Sequence, residues 1–300
     1  MRILVLLGLV TVVASNPLAG VRIPLSYHEE IGFPLAKRIK ETEDRIFAGK
    51  DYETVLRENG RIVGGEIAPI AAHPYMAGLV IMFLGIVGQS ACGASLISST
   101  RLVTAAHCWS YGQLQGLQVT VVLGSHFLFY GGNRIPTTRV VVHPNWDQTT
   151  LNNDVAVIIL PQNVTFTGDI QPIALPGYHL DDQFIGEWAT AVGYGRTSDQ
   201  QVGINANAVV SHVNLQVISV QQCQATFGTT FVRESTICTS GTDGVGVCNG
   251  DSGGPLFINR NGQNILVGIS SFVAAAGCEL GFPSAFARVT SFYSFILHNM

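Results

Sequence analysis

Beyond residue 61 the apolar positions fall in short, β-branched runs separated by Gly, Pro and Asn, at 76–83, 95–104, 117–123, 139–142, 155–160, 187–192, 209–217, 265–271 and 284–289. Many short runs with frequent turn residues predict an all-β domain, a barrel or a sandwich. The apolar stretch 81–88 is too brief to cross a bilayer and is expected to be a core strand. Only the C-terminus changes period. Val289, Phe292, Tyr293 and Ile296 recur at helical spacing and predict a closing α-helix over 290–298.

The N-terminal part has a different pattern. Arg2, the apolar run 3–13 and the small residues Val13-Ala14-Ser15 have the form of a secretory leader spanning 1–15. Residues 16–61 balance eight basic against eight acidic side chains, with few aromatics and scattered prolines, and read as a soluble, partly helical pro-segment. At Arg61 the polar stretch 57–61 gives way to Ile62-Val63-Gly64-Gly65. Residues 62–300 are therefore the expected folded domain, long enough for one large β domain or two fused barrels.

Charge and cysteine content narrow the class. The whole chain carries a net charge of −4, and beyond Arg61 it holds seven arginines, twelve acids and no lysine. An acidic domain without basic clusters argues against nucleic acid as a partner, and no stretch after the leader is long enough to enter a membrane. Six cysteines in an exported chain predict three disulfides and leave their pairing open. None has metal-site spacing, so no metal or cofactor is expected.

The chemistry concentrates at Cys248-Asn249-Gly250-Asp251-Ser252-Gly253-Gly254-Pro255. Alone this is a Gly-rich turn. A serine there becomes a nucleophile if a base takes its proton and backbone N–H groups receive the charge that develops on the substrate. His107 closes Thr104-Ala105-Ala106-His107-Cys108, where small residues lead into a cysteine and confine the imidazole. Asp154 precedes the strongly apolar run 155–160, and a carboxylate at the mouth of a core strand needs a hydrogen-bond donor such as an imidazole N–H.

These motifs, with Ile62-Val63-Gly64-Gly65 and Asp154-Val155-Ala156-Val157, stand in the order His, Asp, Ser. The chain resembles a chymotrypsin-like (trypsin-fold) serine protease in zymogen form, of the insect digestive chymotrypsin/elastase-like type, over 62–300. The resemblance implies two six-stranded antiparallel barrels with the site between them. It gives His107 the role of general base and acid, Asp154 that of orienting carboxylate and Ser252 that of nucleophile. The N–H groups of Gly250 and Ser252 would form the oxyanion hole, with Ser271 beside the buried Asp154. It implies the disulfides Cys92–Cys108, Cys223–Cys238 and Cys248–Cys278. It also implies activation by a cut after Arg61, made by a trypsin-like protease, after which the Ile62 ammonium pairs with Asp251. The pro-segment has no cysteine and cannot stay attached by a disulfide.

By the same resemblance Gly246, Val273 and Ser284 shape the specificity pocket. With no aspartate at Gly246, a preference for Lys or Arg is not expected. A pocket narrowed by Val273 is expected to take small or medium apolar side chains, with aromatic ones as the runner-up. The expected partners are protein and peptide substrates, the activating protease and protein protease inhibitors, in extracellular fluid such as a gut lumen. Asn163-Val164-Thr165 is a glycosylation candidate. A domain that keeps arginine and lacks lysine suits strongly alkaline fluid, because arginine stays charged where lysine does not. The alternatives are a regulatory cascade protease, or a catalytically silent homologue acting as a binding module.

Overall fold

The computed structural model describes residues 22–23, 26–51, 54, 72–177, 179–195 and 210–300. The leader 1–15 and the proposed scissile pair Arg61–Ile62 lie outside the described residues.

Two antiparallel barrels make up the domain. The first contains β1 (Met76–Phe83), β2 (Ser90–Ser98), β3 (Arg101–Thr104), β4 (Ser110–Tyr111), β5 (Leu114–Leu123), β6 (Asn133–Thr137), β7 (Val140–Val142) and β8 (Ala156–Ile159). Its order is β4-β5-β1-β2-β3-β8-β7, with β6 also paired to β5. The second contains β9 (Trp188–Gly193), β10 (Ser211–Ile218), β11 (Thr236–Thr239), β12 (Pro255–Arg260), β13 (Gln263–Phe272) and β14 (Ser284–Arg288). It closes in the order β10-β11-β14-β13-β12-β9. Among the described residues three α-helices accompany them: α1 (Phe33–Ile46), α2 (Val220–Phe231) and the C-terminal α3 (Val289–His298). No helix among the described residues is long and apolar enough to cross a membrane.

Side-chain alternation explains how the first barrel is buried on two sides. Leu79, Ile81 and Val121 point into the main core. Their neighbours Val80, Ala91 and Val122 form a second, outward cluster with Leu35, Ala36 and Ile39 of α1. An outward strand face that would normally be polar is here apolar, and helix α1 covers it. In the second barrel Leu215, Val217, Ile237, Leu256, Val267 and Phe286 fill the interior.

The two antiparallel barrels are as the resemblance implied, and among the described residues the sheet of the first also takes in the short β4 and pairs β6 with β5. Other expectations are corrected. The stretch 81–88 is not a continuous core strand. β1 ends at Phe83, and Leu84, Ile86 and Val87 sit at an exposed turn, at 71, 42 and 104 % of full exposure. The run 95–104 divides into β2 and β3, antiparallel neighbours. Helix α2 has no clear sequence signature. It is short, rich in Thr and Phe, and kinked at Gly228, where φ is 79°. A capping box of Ser219 and Gln222 starts it, and the Cys223–Cys238 disulfide ties it to β11. The closing helix appears as expected, with Val289, Phe292 and Ile296 buried.

The barrels meet through backbone. Gly93 of β2 donates its N–H to Ser252 O across the junction at 2.7 Å, while Gly253 donates within the second barrel to Ser270 O at 2.8 Å. Gly253 has φ 79°, and a Cβ there would lie 2.3 Å from Thr104 Oγ1 and 2.4 Å from Gly93 O. Both the left-handed backbone and the close approach require glycine. Gly253→Ala is expected to destabilise the protein by about 1–3 kcal/mol, read as a lower midpoint in a urea melt. An unchanged midpoint would show that the junction tolerates a side chain.

Candidate active site

His107 sits in a single 3₁₀ turn, Ala106–Cys108, entered from β3 through the extended Ala105. Ala105, Ala106 and Cys108 are fully buried, which explains the small residues before the imidazole. The Cys92–Cys108 disulfide anchors the turn to β2. The sulfurs of Cys92 and Cys108 near the imidazole are bonded to each other and so are not free thiolates that could bind a metal beside His107. Asp154 follows Asn153, a turn residue with φ 60°, and leads into β8.

Asp154 is 1 % exposed and fully engaged. Its Oδ1 accepts the His107 backbone N–H at 2.9 Å, and its Oδ2 lies 2.7 Å from His107 Nδ1. The Ser271 hydroxyl, from β13 of the other barrel, donates to Oδ2 at 2.5 Å. A carboxylate can only accept, so His107 Nδ1 bears the proton and Nε2 presents its lone pair towards the cleft.

Ser252 lies in the loop before β12, held by the Cys248–Cys278 disulfide and by Asp251. Asp251 Oδ1 accepts from Gly195 N–H and Oδ2 from Cys248 N–H, both at 2.8 Å. Gly193 and Gly195 make room, since a Cβ at either would lie within 2.6 Å of this carboxyl group. Burial pushes the Asp251 carboxyl up to about 6, against the lowering effect of those two N–H groups. The N–H groups of Asp251, Gly253 and Gly254 bond backbone carbonyls. Those of Gly250 and Ser252 have no backbone acceptor among the described residues. They are the two N–H groups that the family resemblance would give to a developing oxyanion.

The cavity beside Ser252 is bordered by His107, Val247, Ser270, Phe272 and Val273. Tyr111, Leu151, Tyr27 and Ile31 also line it, and sequence patterns did not single these out. Of the three expected pocket residues, Val273 is therefore at this cavity. Gly246 lines a second cavity of ≈ 230 Å³ that also reaches Asp251 and Cys278. Ser284 is buried beneath, its Oγ accepting from Val247 N–H at 3.2 Å. A Cβ at Gly246 would come within 2.9 Å of that oxygen. Phe272 packs edge-on against Phe227 of α2, at 5.4 Å between centroids, so the helix missed in sequence supports the cavity wall. Asn163 is exposed and accepts from Ser99 Oγ at 2.9 Å.

Comparison with known proteins agrees with this geometry. The family model described as Trypsin matches residues 62–296. Collagenase of Hypoderma lineatum is 38 % identical over 81 % of this chain and 88 % of its own length. Brachyurin of Leptuca pugilator is 40 % identical over 78 % of this chain and 96 % of its own. A solved collagenase structure superposes with a TM-score of 0.70 at 36 % identity, covering 79 % of this chain and 98 % of that one.

Asp251 makes stability depend on pH in the uncut chain. Its carboxyl is raised from 3.8 to about 6, so its contribution is fully present below 3.8 and is lost as pH rises through about 6. The loss is on the order of 3 kcal/mol. Thermal melts of uncut wild type and Asp251→Asn across this range should show the wild type losing ground relative to the variant as pH rises. A constant or opposite difference would contradict the assignment.

Proposed function

We propose that this chain, which belongs to the trypsin family of serine proteases, is an exported precursor that becomes a digestive endopeptidase when the bond after Arg61 is cut. The chain is a serine endopeptidase by family. The observation that carries its mechanism is the 2.7 Å contact of His107 Nδ1 with the buried Asp154 beside Ser252.

In this reading His107 Nε2 takes the Ser252 proton as Oγ attacks the scissile carbonyl. The carbonyl oxygen becomes negative and is received by the N–H groups of Gly250 and Ser252. Asp154 stabilises the imidazolium, which then protonates the leaving amine. An acyl-enzyme remains, and water attacks it by the same route in reverse. Ser271 is a positioning residue, since it acts through Asp154.

Activation uses Asp251. A new α-ammonium at Ile62 would replace its backbone donors with a full charge and return the carboxyl to the ionised state. The cavity that ends at Asp251 supports this. The preferred residue before the cut is small or medium apolar, or aromatic. The support is a cavity walled by Val247, Phe272 and Val273, with no carboxylate lining it. A short pro-segment without cysteine favours digestion over a regulatory cascade. The activator is a trypsin-like protease, protein inhibitors are its expected antagonists, and Asn163 is the glycosylation candidate.

After activation at Arg61, an organophosphonate should label the wild type and leave Ser252→Ala unlabelled. His107→Ala should lower kcat by at least about 10²-fold. On a panel of peptide substrates, cleavage after Ala, Val, Leu or Phe should outpace cleavage after Lys or Arg. The lysine-free domain should still be active above about pH 9, which requires the Ile62 ammonium to be held well above the usual α-amino range near 8. Labelling without turnover would favour a silent homologue, and collapse by pH 9 would reject the alkaline setting.

A further inference from the structure

We propose that the pro-segment is itself an inhibitor, which occupies the active-site cleft across both barrels and stays docked after the bond at Arg61 is cut. This rests on reading the domain as a protease. The family match begins at residue 62, so the segment lies outside it.

The contacts run along the cleft. At one rim Arg22 O accepts the Ala275 N–H at 2.7 Å, just beyond β13. Tyr27 then reaches the centre. Its ring meets His107 edge-on at 4.7 Å between centroids, and its hydroxyl donates to Ala91 O at 2.8 Å while lying against the Ser252 side chain. Tyr27 is 6 % exposed, so it excludes solvent as well as substrate.

His28 extends the contact. Its Nε2 is 2.9 Å from His107 O and its Nδ1 is 2.8 Å from Ser90 Oγ. A carbonyl only accepts, so Nε2 carries the proton and Nδ1 receives the Ser90 hydroxyl. Burial first, and the nearby His107 second, lower His28 to about 3 and keep it neutral. Gly32 follows, where a Cβ would stand 2.0 Å from Ser90 Oγ.

Helix α1 supplies the anchor. Leu35 reaches the oxyanion loop, its Cδ2 lying 2.5 Å from where a Cβ on Gly250 would be. Leu35, Ala36 and Ile39 cover the outward apolar face of the first barrel. At the far end Glu43, fully buried, accepts the N–H groups of Leu128 and Phe129, each at 2.7 Å. A buried carboxylate met by two backbone donors is a specific docking point, since either half alone is left unsatisfied.

The segment is a poor substrate for geometric reasons. Tyr27 has φ −50° and ψ −49°, and the chain continues as a π-helix over His28–Gly32. Ser26 O already accepts the Glu30 N–H at 2.9 Å. A helical backbone bonds its own carbonyls and offers none to Ser252. Cutting after Arg61 breaks none of these contacts, so release is a separate step, by dissociation or by further cleavage. Lys37 and Lys40 on α1, with side chains 76 and 51 % exposed, offer a trypsin-like activator the cations for that cleavage.

The test uses the full chain cut once after Arg61. Size-exclusion chromatography follows the pro-segment, while organophosphonate labelling of Ser252 and peptide hydrolysis follow the site. The wild type should elute with its pro-segment bound, label slowly, and gain specific activity on dilution or prolonged trypsin treatment. Tyr27→Ala should raise activity at equal concentration by at least about tenfold, and Glu43→Gln should shift the dilution midpoint by at least about tenfold. The wild-type dilution series stands alone if a variant fails to fold. Immediate separation of the pro-segment overturns the docking. Co-elution with full, dilution-independent activity overturns the inhibition. Co-elution with no labelling in any form, even after the segment has been digested away, overturns the protease reading while leaving the docking intact.

Discussion

A carboxylate taken out of water must be given donors, and Asp154 is where this chain meets that requirement with both barrels at once. His107 comes from the first barrel and Ser271 from the second, and both bond the same buried group. Removing one donor would leave a charge unsatisfied in a low-dielectric interior, which costs far more than the bond itself contributes. The requirement therefore fixes how the barrels sit against each other, and it fixes the imidazole tautomer in the same act. The backbone contacts at Gly93 and Gly253 place Ser252 beside that imidazole.

Asp251 is a second buried acid with a different part. Its partners are two backbone N–H groups, which hold the loop but do not neutralise the charge. The carboxyl is consequently raised, and a cation arriving there would change both its ionisation and the stability of the loop. One acid orients the proposed base permanently. The other has only backbone N–H donors, and the two acids share no hydrogen-bond partner.

The segment preceding the matched family domain, the proposed pro-segment, adds a third element to the same small volume. Tyr27 and His28 reach the imidazole turn, and Leu35 reaches the loop of Gly250. The apolar outward face of β1, β2 and β5 makes sense in this light. It is a packing surface for α1, and leaving Val80, Ala91 and Val122 bare would expose apolar area to water.

Much was legible in the chain by itself. The short β-branched runs marked an all-β domain, barrel or sandwich, the 3.6-residue recurrence marked the last helix, and the motifs around His107, Asp154 and Ser252 carried the resemblance that implied two barrels. Local signals fail where an element is defined by its neighbours. The four-residue β11 and the Gly-kinked α2 hold together through strand pairing, a cap and a disulfide. The turn 84–87 looked like core because its composition is apolar, yet its geometry sends the side chains outward. Sequence determined which groups could act, since residue type and close spacing dictate short-range chemistry. Tertiary structure alone decided which groups meet. Leu35 with the Gly250 loop, Phe227 with Phe272, and Tyr27 with His107 are distant along the chain, and only the packing of two barrels and their helices brings them within reach.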